Sequence, residues 1–249
     1  MTILSKDSSD GQTGDQGVIR GGVETYEARN CHSATDMKAR ADRHATYREL
    51  SARAIEIIRS GIDPRKGFQQ FLKECAKVLA HPAWESLMRL NVPADLAHHD
   101  KWLRSVLESE PPAPEINGLW FGITDPFVDQ DGIVVGYELY VSGSSRFDAS
   151  DPTFEWAASP EYWPNGRYSS SEVFHALGRL AEQHQLPYQL ADDVVPLLYA
   201  ALVVDWLSNR VPRLLLGGAP SRAIAVGHDE GDGLLVGSVD AAGYHRVPQ

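Results

Sequence analysis

The segment Pro111-Pro112-Ala113-Pro114 constrains this chain more than any other stretch. Proline has no amide hydrogen to donate and holds the residue before it out of the helical region, so neither a helix nor a central strand passes through. Upstream, over 36–110, apolar residues recur at helical spacing. Asp63-Pro64 reads as an N-cap followed by a proline in the first helical position, and Phe68, Phe71, Leu72, Cys75, Val78 and Leu79 then form one stripe. Tyr47, Leu50, Ala54, Ile57 and Ile58 mark a helix before it. Trp84, Leu87 and Met88, then Leu96, Leu103, Val106 and Leu107, mark shorter ones after it. The region should therefore hold about four helices.

Downstream the pattern changes to strands. Runs 119–124 and 133–141 flank Asp129-Gln130-Asp131-Gly132, and runs 222–227 and 234–239 flank a second glycine-rich acidic turn at 228–233, so each pair reads as an antiparallel hairpin. Residues 244–247 add a short last strand. Between the hairpins lie two helices. One opens with a capping box at Ser169 and Glu172 and carries Val173, Phe174, Leu177, Leu180 and Ala181 on one side. The other, 192–209, is apolar nearly all round and belongs at the centre. The fold class expected is α+β: an N-terminal helical region, then over 115–249 an antiparallel sheet of two hairpins packed on a central apolar helix. Residues 1–35 are polar and glycine-rich, cannot offset the entropy of ordering, and read as a disordered tail.

The chain opens without the cationic start and apolar core of a secretory leader. Its most apolar window, 194–207, is shorter than a bilayer span and contains Asp205. No membrane role is expected. Cys31 and Cys75 form neither a CxxC pair nor a disulfide framework, which fits a reducing cytoplasm.

Motifs for catalysis and cofactors are missing. No GxGxxG follows a strand, and no Gly-Lys dipeptide exists for a phosphate loop. Gly143-Ser144-Ser145 and Gly237-Ser238-Val239 lack the frame of a nucleophile elbow. His98 and His99 point about 100° apart on a helix, where zinc pairs are spaced four residues apart, so both are assigned to a solvated face. His228, Asp229, Glu230 and Asp232 lack the spacing of a calcium loop. No cofactor and no metal is expected. Asp205 interrupts an apolar helix and reads as structural, paired with Arg210 or meeting solvent. His175 and Asp148 join it as candidates only if the protein is an enzyme with scattered catalytic residues.

Charge is unevenly distributed. Every lysine lies at or before Lys101, residues 37–110 carry a net +3, and residues 111–249 carry 18 acidic residues against 7 arginines. Within that acidic part, the segment 147–168 shows no clear periodicity and mixes Phe147, Phe154, Trp156, Tyr162, Trp163 and Tyr168 with Asp148, Asp151, Glu155 and Glu161. Long connections of this kind are uncommon unless functional, and aromatic rings dominate binding hot spots. Carboxylates around them repel nucleic-acid phosphates and favour a cationic protein. The alternative is that the rings pack the segment onto the sheet as a cover. The function expected is a non-enzymatic, acidic protein-binding module, for example an immunity or antitoxin protein that occludes a basic toxin. Its partner-binding residues would be Asp148, Asp151, Glu155, Trp156, Glu161, Tyr162 and Trp163. The alternatives are the scattered-residue enzyme and a homo-oligomeric structural subunit.

Overall fold

The computed structural model describes residues 34–125, 127–128, 134–151, 153–182, 186, 189–229 and 233–248; the side chains of 34–46, 127–128, 134, 182, 189 and 191–192 are excepted. The tail expected at 1–35 thus lies almost wholly outside the described residues, as do the turn residues 129–132 and 230–232. Chain contacts divide the molecule after Asp42. In the first unit the described residues are the opening turns of one helix, and everything below concerns the second.

Four helices come first: α1 (Ala34–Arg59), α2 (Pro64–Val78), α3 (Ala83–Met88) and α4 (Val92–Ser109). The Asp63 carboxylate accepts the Lys66 amide at 3.1 Å and Pro64 opens α2, as its sequence predicts. Asn91 caps α4 in the same way through the Ala94 amide. After the prolines come β1 (Gly118–Ile123), β2 (Phe127–Val128), β3 (Val134–Gly136), β4 (Glu138–Ser144) and β5 (Tyr168–Ser170). Then follow α5 (Glu172–Glu182), a π-helical turn Gln189–Val194, α6 (Val195–Arg210), α7 (Pro212–Leu216), β6 (Ser221–His228), β7 (Gly233–Asp240) and β8 (Gly243–Arg246).

The class is α+β, and among the described residues the main sheet has six strands in the order β5-β4-β1-β6-β7-β8, with β2 and β3 paired in a separate two-stranded sheet. The sheet is mixed, which corrects the expectation of an antiparallel one: β1 and β6 run parallel, Gly118 beside Ala223 through Ile123 beside His228. The C-terminal hairpin forms as β6–β7, whereas the expected run 133–141 divides: β3 pairs with β2 in the separate sheet and β4 pairs with β1. β5 runs antiparallel to β4 and hence parallel to β1, and the helical crossover that leaves it delivers β6 in that same direction. A second correction concerns the start of α5. Ser169 is paired with Leu139 inside β5, and the cap is Ser171, whose hydroxyl accepts the Phe174 amide at 3.2 Å.

Alternation along the strands assigns the faces. Leu119, Phe121 and Ile123 of β1, Leu139 and Val141 of β4, and Ile224 and Val226 of β6 share one buried cluster with α6, whose Leu198, Val203 and Leu207 are buried. Phe68, Phe71 and Leu72 of α2 and Leu103 of α4 belong to the same cluster. The core therefore runs across the proline segment, which changes the kind of secondary structure without separating two cores. Arg222, buried on β6, holds that segment by donating from Nη2 to the carbonyls of Pro112 at 3.0 Å and Ala113 at 2.8 Å.

Candidate partner-binding face

The same alternation gives the opposite face of the sheet Gly118, Trp120 and Gly122 from β1, Tyr140 and Ser142 from β4, and Ala223 and Ala225 from β6. Small residues there make room for rings. Gly122 sits directly opposite Tyr140, and a Cβ at Gly122 would stand 2.0 Å from the Tyr140 ring. A Cβ at Gly118 would meet Trp156 at 2.9 Å, and Trp120 stands beside Ala225 in the parallel register. Trp120, Tyr140, Trp156 and Ala225 form a small cluster of their own on this face, with Phe147 and Phe154 packed against it. Trp156 meets Phe147 edge-on at 5.2 Å and Trp120 at 6.1 Å between centroids.

The chain between β4 and β5 is fixed by its own acids. Asp148 accepts the amide and hydroxyl of Ser150 at 2.8 and 2.7 Å, and Asp151 accepts those of Thr153 at 2.9 and 2.6 Å. These bonds hold both carboxyls below the usual range. Glu161 accepts the Ser145 amide at 3.0 Å and pairs with Arg146 at 3.2 Å; the Ser145 amide first, and the Ser144 hydroxyl after it, lower its pKa to about 2. The Glu155 carboxylate has no hydrogen bond or ion pair among the described residues.

The structure sorts the seven residues expected to bind a partner. Trp156 and Tyr162 are only 4% and 8% exposed, and the Tyr162 hydroxyl donates to the Glu110 carbonyl at 2.8 Å. These two rings anchor the segment to the protein itself and offer no surface, which corrects their assignment: Trp156 fills the space left by Gly118, and Tyr162 bridges to Gly143. Asp148, Asp151 and Glu161 remain charged while organising turns. Trp163 is 45% exposed.

Around Trp163 the structure adds residues that sequence reasoning did not assign. Tyr168, 41% exposed, pairs with Tyr140 across the β4–β5 ladder, and the Arg167 guanidinium lies 4.2 Å from the Trp163 ring centroid and 4.7 Å from that of Tyr168. Beside them is a cleft of about 390 Å³ lined by Trp120, Tyr140, Phe154 and Trp163 together with Glu155 and Asp229. The Tyr140 hydroxyl faces Asp229; burial first, then that carboxylate, raises the Tyr140 pKa. Burial also raises the Asp229 carboxyl, with Asp125 reinforcing and Tyr140 opposing the shift.

Asp205, His175 and Asp148 lie on α6, on α5 and in the β4–β5 connection, and no described bond joins any two of them. Asp205 is buried and bound by Arg246 at 2.6 and 2.7 Å and by the Tyr244 hydroxyl at 2.9 Å. Arg210, its expected partner, instead pairs with Asp100 and covers Trp206. The solvated face assigned to His98 and His99 holds for His98 only. His99 is buried, with Nδ1 2.9 Å from Ser169 Oγ and Nε2 3.5 Å from Asp95, which in turn accepts the Tyr199 hydroxyl at 2.5 Å. Serine, histidine and aspartate meet here, yet all three are enclosed in the core, so the group cross-links α4, β5 and α6 and presents no nucleophile. Burial pushes the Cys75 thiol up to about 12, leaving it unreactive. Among the described residues no group of three or more His, Cys, Asp or Glu could hold a metal ion, and no helix is long and apolar enough to cross a membrane. No protein-family model, curated protein or solved structure matches the chain.

Proposed function

We propose that this chain is a non-enzymatic protein-binding module that takes a basic protein partner on the outer face of its sheet, as an immunity or antitoxin protein does when it occludes a toxin. The observation that carries this reading is Trp163 and Tyr168, two large exposed rings standing on a segment that its own carboxylates and buried rings already hold in place. A pre-ordered segment loses little freedom on binding, so ring burial is converted into affinity rather than into ordering. Charge supports a cationic partner: 18 acidic residues against 7 arginines from residue 111 onward, several of them around this face. The test begins with capture of partners from the source cells, followed by binding kinetics of the purified pair. Trp163→Ala should weaken the complex by about 2 kcal/mol, mainly through faster dissociation. Unchanged binding by Trp163→Ala, or self-association as the only interaction detected, contradicts the proposal.

A further inference from the structure

Resting on that reading, we propose that the cleft beside Trp163 is a socket for an arginine side chain of the protein partner. Four rings line it, from Trp120, Tyr140, Phe154 and Trp163. Two carboxylates, Glu155 and Asp229, and the His228 imidazole share the lining, and no lysine or arginine does. Such a lining offers a cation both ring faces and countercharges in one place. Within the charge pattern of the chain this is a complementary site: the neighbouring Arg167 guanidinium already stacks on Trp163 and Tyr168 and is not part of the cleft wall. That internal contact also shows the geometry this surface offers to a planar cation. A guanidinium stacks on rings and can engage a carboxylate through two parallel donors while shedding water more readily than an ammonium, so arginine is favoured over lysine. The Glu155 carboxylate, without an internal partner among the described residues, is available for that bond; the Asp148, Asp151 and Glu161 carboxylates already bond within the segment.

The full chain, labelled at its tryptophan indoles, is titrated by NMR with the capped tripeptide acetyl-Gly-Arg-Gly-amide and with its lysine, trimethyllysine and citrulline counterparts. Saturable shifts are expected at the Trp120 and Trp163 indoles and not at Trp84, with the arginine peptide binding at least about fivefold tighter than the other three. Glu155→Gln, at an exposed position, and Asp229→Asn, desolvated beside Tyr140, each checked for unchanged melting, should each weaken it about fivefold or more. Equal binding of citrulline, tighter binding of trimethyllysine, or no saturable shift overturns the socket. The two readings fail separately. If the arginine peptide does not bind while Trp163→Ala still loses the captured partner, the socket falls and the module stands; if the peptide binds and Trp163→Ala keeps the partner, the module falls.

Discussion

Asp205 shows how one residue in an apolar helix ties distant parts of the chain together. Arg246 reaches it from β8 and lies over Gly61 in the α1–α2 turn, where a Cβ would stand 2.2 Å from the guanidinium and the backbone has a φ of 65° that glycine adopts without strain. Arg246→Ala leaves the Asp205 charge buried without its cation and should destabilise the protein by about 3 kcal/mol in denaturant unfolding, whereas replacing both by Leu and Met should cost less than either single change. A double variant no better than the singles would show that the pair is not coupled. Asp95 gives a pH prediction. Burial pushes its carboxyl up, but hydrogen bonds from His99 and Tyr199 outweigh this, and its pKa lies below the ordinary value. A carboxyl depressed in the folded state stabilises fully above its unfolded pKa of about 3.9, and that contribution is lost as pH falls through the lower folded value. Unfolding free energies should therefore drop below about pH 4 more steeply in the wild type than in Asp95→Asn. Parallel curves would contradict it.

At the scale of elements, the β4–β5 unit carries the proposed surface, and its parity explains two fates for neighbours: Ser169 turns inward to His99 while Tyr168 turns outward to Tyr140 and Arg167. Gly122→Ala should disturb the site by pushing the Tyr140 ring off the sheet, at about 1–3 kcal/mol in stability, whereas Trp163→Ala, half in solvent, should stay within about 0.5 kcal/mol of wild type. Thermal melting of the two variants distinguishes these outcomes; equal melting would mean that Tyr140 finds other space. Much at this scale was legible locally. The α2 stripe from Phe68 to Cys75, its proline start and the β6–β7 hairpin follow from spacing and turn residues, whereas Val78 of the expected stripe is 46% exposed and the run 133–141 divides between two sheets. Asp95 and His99 were also legible in principle, since with Val92, Leu96, Leu103 and Val106 they fall on the apolar face of α4. The parallel β1–β6 pairing was not, because nothing near either strand encodes a partner about a hundred residues away. The division between Trp156 as anchor and Trp163 as exposed ring depends on Gly118 lying under one of them, a contact between segments far apart in the chain.

Across the second unit, helices pack on one face of the sheet, while the other is covered by rings and an acid-rich segment, and the chain's negative charge is concentrated after the proline break. Steering by that charge should show in kinetics. Neutralising Glu155 and Asp229, which do not organise the turns of the segment, should slow association with the captured partner and reduce its dependence on salt, and, because the same carboxylates contact the partner's arginine in the socket, should also speed dissociation. An unchanged association rate with unchanged salt dependence would leave those carboxylates as contacts without a steering field. The central claim, that the outer face of the sheet receives a protein, is tested most directly by amide hydrogen exchange of the protein alone and in its complex. Slowed exchange concentrated in residues 153–168 is the predicted result; slowed exchange confined to α1–α4, with 153–168 unchanged, would contradict it.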